Sequence, residues 1–398
     1  MAASLGETML TLLLVIIYLS FISLGLPDSL LGAAWPAMHG DLGVSVSLAG
    51  ILSMIVSCGT VISSLMSTRL IKRFGTGMVT AVSVAMTAAA LVGFGASKSF
   101  AFLCLLSIPL GLGAGSVDAA LNNFVALHFK AKHMNWLHCF WGIGATAGPV
   151  IMSFWLAKSA NWNMGYSTIG LIQAVLAVGL FFSLPLWKKA VAQKREGSGQ
   201  EVVALGLRKV LSLRHAKPVL LSLFCYCALE LTVGLWGGSY AVAAYGVMPD
   251  TAAGWTSVYY LGITLGRLVA GFVSMRLSNK RLIRAGQACV LSAIVLLFIP
   301  SGVWKIPLSL GLAGLGCAPI YPCMLHETPK TFGSEVSQSI MGVQMACAYV
   351  GSTFMPPLFG VLARAAGIGW FPAYLLLFII VMAICTESVN VGRMRKAE

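Results

Sequence analysis

Apolar residues run in blocks of about twenty or more along nearly the whole 398-residue chain, broken by short polar or turn-rich stretches. A helix that crosses a bilayer needs about 20 mostly apolar residues. The pattern predicts twelve such spans, at 9–37, 46–71, 77–96, 99–127, 136–157, 164–187, 218–245, 252–275, 282–300, 304–326, 337–363 and 369–390. One break is long. Residues 188–217 are polar, contain KKAVAQKREGSGQE, and divide six spans from six. The expected architecture is all-α and membrane-embedded: an N-terminal six-helix bundle over 1–187, a linker over 188–217 and a C-terminal six-helix bundle over 218–398.

The two halves echo each other. GIGATAGP in the fifth span and VGSTFMPP in the eleventh align Pro149 with Pro356, a shift of 207. Gly59 with Gly262 and Arg73 with Arg276 align at 203, and Asp28 in the first span stands 202 before Glu230 in the seventh. Each match is weak alone, but a common shift describes a six-plus-six duplication. Two pseudo-symmetric lobes with a solute site between them are the architecture of many secondary transporters.

Composition agrees. The chain is 58% hydrophobic and only 10% charged, where a soluble protein carries roughly 25% charged residues. Much of its surface must therefore face lipid. The net charge of +14 does not point to nucleic acid, because the cations are sorted by side. The loops after even-numbered spans, the linker and the tail hold 21 of the 26 basic residues, and the opposite side holds Lys98, Lys158, Lys305 and Arg364. The positive-inside rule then places both termini and the linker in the cytoplasm. The one that remains, Arg267, lies inside the eighth span. The ten cysteines fall almost entirely in apolar runs, with neither metal-ligand spacing nor a disulfide framework, and read as core residues. The first apolar run is too long for a cleaved signal peptide.

The loop after the eighth span, within GRLVAGFVSMRLSNKRLIRAG, resembles a signature of the major facilitator superfamily. STRLIKRFGTG, its first copy, lacks the usual acidic residue before the basic pair. CALELTVGLWGGSY, NWLHCFWGIGATAGP and SVDAALNNF resemble the fucose–galactose–glucose:proton symporter branch. The resemblance covers nearly the full length. It implies a monomeric secondary transporter of the bacterial inner membrane, working by alternating access, with spans 1, 4, 7 and 10 around a central cavity.

That expectation gives the embedded acids a role. A charge at the bilayer centre costs about 3 kcal/mol or more on insertion scales. Asp28, Asp118 and Glu230 lie in spans 1, 4 and 7, so they are the proton-coupling candidates. The competing reading of each is a structural ion pair, for which Arg267 is the available intramembrane cation. Asn122 follows Asp118 by one turn, and His138 precedes Trp141 by three residues, so each pair shares a face. His138 and Trp141 fall where the fucose-type symporters carry amides. Asn122, His138, Trp141, Trp236, Gln344 and Trp35 are the expected substrate contacts, since indoles stack on the apolar faces of a pyranose. Trp162 and Trp370 look like residues of the interfacial belt. Arg276, Glu327 and Arg73 are the expected gate, with Arg276 and Glu327 forming an inward-side latch.

No P-loop, HExxH, CxxC pair or nucleophile elbow appears, so no enzyme, cofactor or metal site is expected. The expected function is proton-coupled symport of a monosaccharide or similar small polar solute. The alternative is a proton-driven exporter of drugs or metabolites, for which GATAGP touches the antiporters' glycine–proline pattern.

Overall fold

The computed structural model describes residues 2–129, 131–192 and 207–394. The middle of the predicted linker, Lys130 and the tail cations Arg395 and Lys396 lie outside the described residues, as do the side chains of Asn123 and His128. Among the described residues the regular structure is entirely helical, with no strand. The first seven helices are α1 (Ala2–Asp28), α2 (Leu30–Asp41), α3 (Ala49–Phe74), α4 (Thr76–Ala96), α5 (Phe100–His128), α6 (Ala131–Ser159) and α7 (Trp162–Ala192). A short α8 (Leu207–Ser212) precedes α9 (Ala216–Tyr245), α10 (Pro249–Val273), α11 (Asn279–Phe298), α12 (Lys305–Phe332), α13 (Ser334–Ala366) and α14 (Phe371–Met394).

Twelve stretches among the described residues are long and apolar enough to cross a membrane, and each overlaps a predicted span. The first, Leu10–Asp41, is made of two helices. It breaks at Ser29, directly after Pro27 and Asp28. Proline offers no N–H and its ring crowds the preceding turn, which is the physical reason for the interruption.

The helices form two compact units. One holds α1–α7 with Pro249–Ser257 from the start of α10; the other holds α8, α9, the rest of α10 and α11–α14. Within the first, α1 lies along α6, α3 along α5 and α4 along α7. Within the second, α9 lies along α13 and α14, and α11 along α12.

Similar contacts recur in the two units at shifts of 200 to 207 residues. Gly144 of α6 sits against the Ile22 carbonyl of α1, and Gly351 of α13 against the Phe224 carbonyl of α9. Gly59 of α3 meets Gly111 of α5, and Gly262 of α10 meets Gly311 of α12. In lipid, where association rests on close packing, small residues let backbones approach this far.

Lys305, the first residue of α12, is only 3% exposed and belongs to the packed end of the second unit rather than to a solvated loop. Its Nζ donates to the carbonyls of Leu297 (3.1 Å) and Ile299 (2.6 Å) and lies 5.1 Å from the Tyr245 ring centroid. The ammonium thus satisfies carbonyls at the end of α11, where the helix dipole is negative.

A Cβ added at Gly25 would run into the Trp141 carbonyl oxygen and the Ala145 nitrogen, whereas one at Gly179 meets open space. Gly25→Ala is therefore expected to lower the melting temperature of the detergent-solubilised protein, at an overpacking cost of about 1–3 kcal/mol. Gly179→Ala should leave it unchanged. Equal melting of the two variants would show that the α1–α6 contact does not depend on the missing side chain.

Candidate functional site

In the first unit, the break in the first span carries Asp28 onto an exposed face. Its Oδ2 accepts a hydrogen bond from Trp141 Nε1 of α6 at 2.7 Å. Asp118 of α5 is its electrostatic neighbour. Asp118 Oδ1 accepts from Asn122 Nδ2 at 2.8 Å, one turn along the same helix, and that amide also lies 3.0 Å from the Asp118 carbonyl. His138, on the same face of α6 as Trp141, is exposed and stands edge-on to Phe21, with 6.0 Å between ring centroids. The fold thus brings together two carboxylates, an amide, an imidazole and an indole. Among the described residues no ion pair reaches Asp28 or Asp118.

The second unit treats its acid differently. Glu230 of α9 lies 3.8 Å from Arg267 Nη2 of α10, with the two side chains 16% and 19% exposed. The Tyr259 hydroxyl donates to the Glu230 backbone carbonyl at 3.0 Å, and Tyr226 stands beside the carboxylate. Asp28 and Glu230 occupy corresponding places in the two halves, yet one meets a neutral donor and the other a cation.

Three expected substrate contacts sit elsewhere. Trp35 is fully buried and donates Nε1 to the Val46 carbonyl at 2.6 Å. Trp236 is fully buried, donates to the Pro356 carbonyl at 2.8 Å and packs edge-on against Phe359. Gln344 is fully buried on α13, where its Oε1 accepts from the Thr328 hydroxyl of α12 at 2.9 Å. Both indole N–H groups are turned to protein carbonyls in the core, while Gln344 has its Oε1 matched and its Nε2 buried without a hydrogen-bond partner among the described residues. Trp162 is likewise not a belt residue: it is 2% exposed and donates to Asp41 Oδ2 at 2.9 Å. Trp370 is 53% exposed.

The expected latch is not formed. Arg276 is exposed in the turn after α10. Glu327 instead accepts from Asn279 Nδ2 at 3.0 Å and pairs with Lys330 at 3.1 Å, because those groups begin α11 and lie one turn along α12. Arg73 is exposed at the end of α3, with its guanidinium 5.2 Å from the Phe74 ring centroid.

Two polar features escaped the sequence reading. Arg284 of α11 makes a two-pronged contact with Glu387 of α14, at 2.7 and 2.6 Å. Glu387 falls inside the twelfth predicted span and was legible as a fourth embedded acid. Gln173 of α7 reaches the Ser23 carbonyl and the Thr87 hydroxyl. Its mid-span amide was visible; its partners were not.

Twelve candidate membrane spans among the described residues, in two internally repeated units and with a carboxylate exposed on the face of one of them, define a multi-pass membrane protein. The Major Facilitator Superfamily model matches residues 17–249 and 220–389, and the chain belongs to that family. It is 24% identical over 403 residues to "Bypass of stop codon protein 6" of Saccharomyces cerevisiae, covering 92% of this chain and 80% of the relative. It is 23% identical over 325 residues to the glucose/mannose transporter GlcP of Bacillus subtilis, covering 77% of each. The nucleoside transporter NupG, solved as a point mutant, superposes with a TM-score of 0.76 at 15% identity, over 94% of this chain and 98% of that one, and so shares the fold. The chain is a membrane transporter of small solutes and not an enzyme.

Removing one member of a buried ion pair strands the other, at a cost of about 3–5 kcal/mol when burial is complete. The Glu230–Arg267 contact is long and partly exposed, so Glu230→Gln and Arg267→Met are each expected to destabilise by only about 1–3 kcal/mol. The double variant should lose less than the two singles together. Strict additivity in thermal unfolding would mean that the two charges do not depend on each other.

Proposed function

We propose that this protein is a proton-coupled symporter of a monosaccharide or a similar small polar solute. In this reading it works as a monomer by alternating access in a bacterial inner membrane, with both termini cytoplasmic. One observation carries the reading. Asp28 and Asp118 are partnered by neutral N–H donors, Trp141 and Asn122, while Glu230 is paired with a cation. A carboxylate held by a neutral donor can take up and release a proton without stranding a counter-charge. One bound to a guanidinium resists protonation, because neutralising it leaves an uncompensated cation in the membrane.

The roles follow from that difference. Asp118 and Asp28 exchange the proton, with Asp118 the principal carrier. Each accepts a hydrogen bond as carboxylate; protonated, it can donate one to a solute hydroxyl. Asn122 and His138 offer further donors and acceptors, and the partly exposed ring of Trp141 offers an apolar face to a pyranose. Glu230 keeps its place among the coupling candidates through its pairing with Arg267: its charge state governs that contact rather than free proton exchange. Arg73, Arg276 and Glu327 are assigned to gating, with Glu327 acting through Asn279 and Lys330. The resemblance to a glucose/mannose transporter supports a sugar as the solute.

Reconstituted protein tests this directly. Adding the transported sugar outside should alkalinise the external medium as protons enter with it. Proton movement in the opposite sense would instead favour a proton-driven exporter of drugs or metabolites. Asp118→Asn should abolish uphill accumulation, by tenfold or more, while leaving solute exchange intact. Uphill accumulation at the wild-type level in that variant would remove Asp118 from coupling.

A further inference from the structure

Pro27 does more than interrupt the first span. It has no N–H, so the carbonyl of Ser23, four residues earlier, loses its helical partner. Inside an apolar bundle an unmatched carbonyl is costly, and some other donor must meet it. Gln173 is that donor. It comes from α7, is 1% exposed, and its Nε2 donates to the Ser23 carbonyl. Its Oε1 in turn accepts from the Thr87 hydroxyl of α4 at 2.7 Å, and Thr87 is 4% exposed. Ser23, Pro27, Thr87 and Gln173 line one small cavity that also touches Val117, the neighbour of Asp118. Three helices thus meet at the carbonyl that the proline set free, five residues before Asp28.

We infer that Gln173, steadied by Thr87, is a positioning residue for Asp28. By holding the Ser23 carbonyl it fixes the course of the last turn of α1, and so the direction in which the Asp28 carboxylate leaves the helix towards Trp141. An amide suits the task because it offers a donor for the carbonyl and an acceptor for the hydroxyl at once. The consequence for transport rests on the proposed role of Asp28 in proton exchange. The positioning itself does not.

The Asp28–Trp141 bond supplies the readout. The Trp141 part of the intrinsic fluorescence, taken as the difference from matched Trp141→Phe proteins, should titrate as Asp28 gains its proton. Asp118 on α5 and His138 on α6 are the titratable neighbours on this face, so the titration uses an Asp118→Asn, His138→Gln background. Against that reference, Gln173→Leu and Thr87→Val should each displace the midpoint by roughly half a pH unit or more, the scale on which a local interaction moves a carboxyl. Thr87→Ser, which keeps the hydroxyl, should not. A midpoint unmoved by either Gln173→Leu or Thr87→Val would overturn the inference, and Thr87→Val carries the test if Gln173→Leu does not fold.

A second measurement isolates the carbonyl. With Pro27→Ala, residue 27 regains an N–H for Ser23, so adding Gln173→Leu should lower the melting temperature far less than it does beside Pro27. An equal loss in both backgrounds would refute the route through Ser23. Normal uphill uptake by Asp28→Asn would count against the proposed function and leave the fluorescence titration to judge Gln173.

Discussion

A backbone carbonyl inside a bilayer must find a hydrogen bond within the protein, because lipid supplies none. That constraint is why the described chain is helical, and it is why a proline in mid-span has consequences. At Pro27 the helical ladder loses a donor, the first span divides at Ser29, and a polar residue from another helix meets the freed carbonyl. The helix end that follows is Asp28, held by an indole from α6. The site in the first unit is built on a repaired break.

The duplicated halves use one packing scheme for different chemistry. In both, a glycine on one helix meets a carbonyl on its partner: Gly144 at Ile22, and Gly351 at Phe224. The acids set in corresponding places have diverged. Asp28 faces a neutral donor on an exposed face, and Glu230 is partly buried against Arg267. Losing water penalises both charges, and a close counter-ion restores part of the loss to the paired one. Similar backbones thus hold one acid against a neutral donor and the other against a cation.

Amphipathic aromatic and amide residues are where a one-dimensional reading is weakest. Trp35, Trp236 and Gln344 have the composition of sugar contacts, and all three are fully buried. A buried hydrogen-bonding group calls for a protein partner, and Trp35 Nε1 finds Val46, Trp236 Nε1 finds Pro356 and Gln344 Oε1 finds Thr328. Residue type reports what a side chain can do. Which face of the helix it occupies decides whether solute or protein receives it.

The sequence by itself determined the span count, the internal shifts and the three acids in spans 1, 4 and 7, because burial in lipid demands long apolar runs and makes any interrupting charge conspicuous. It also made Arg267 visible as the cation available for pairing. Only the tertiary structure decided that Arg267 goes to Glu230, that Trp141 goes to Asp28 and that Glu327 takes Asn279 and Lys330 in place of Arg276. The reason is distance along the chain. Asp28 and Trp141 lie 113 residues apart, and Ser23 and Gln173 lie 150 apart. Helical periodicity relates residues three or four apart, and it carries no information about which turn of one helix will meet which turn of another.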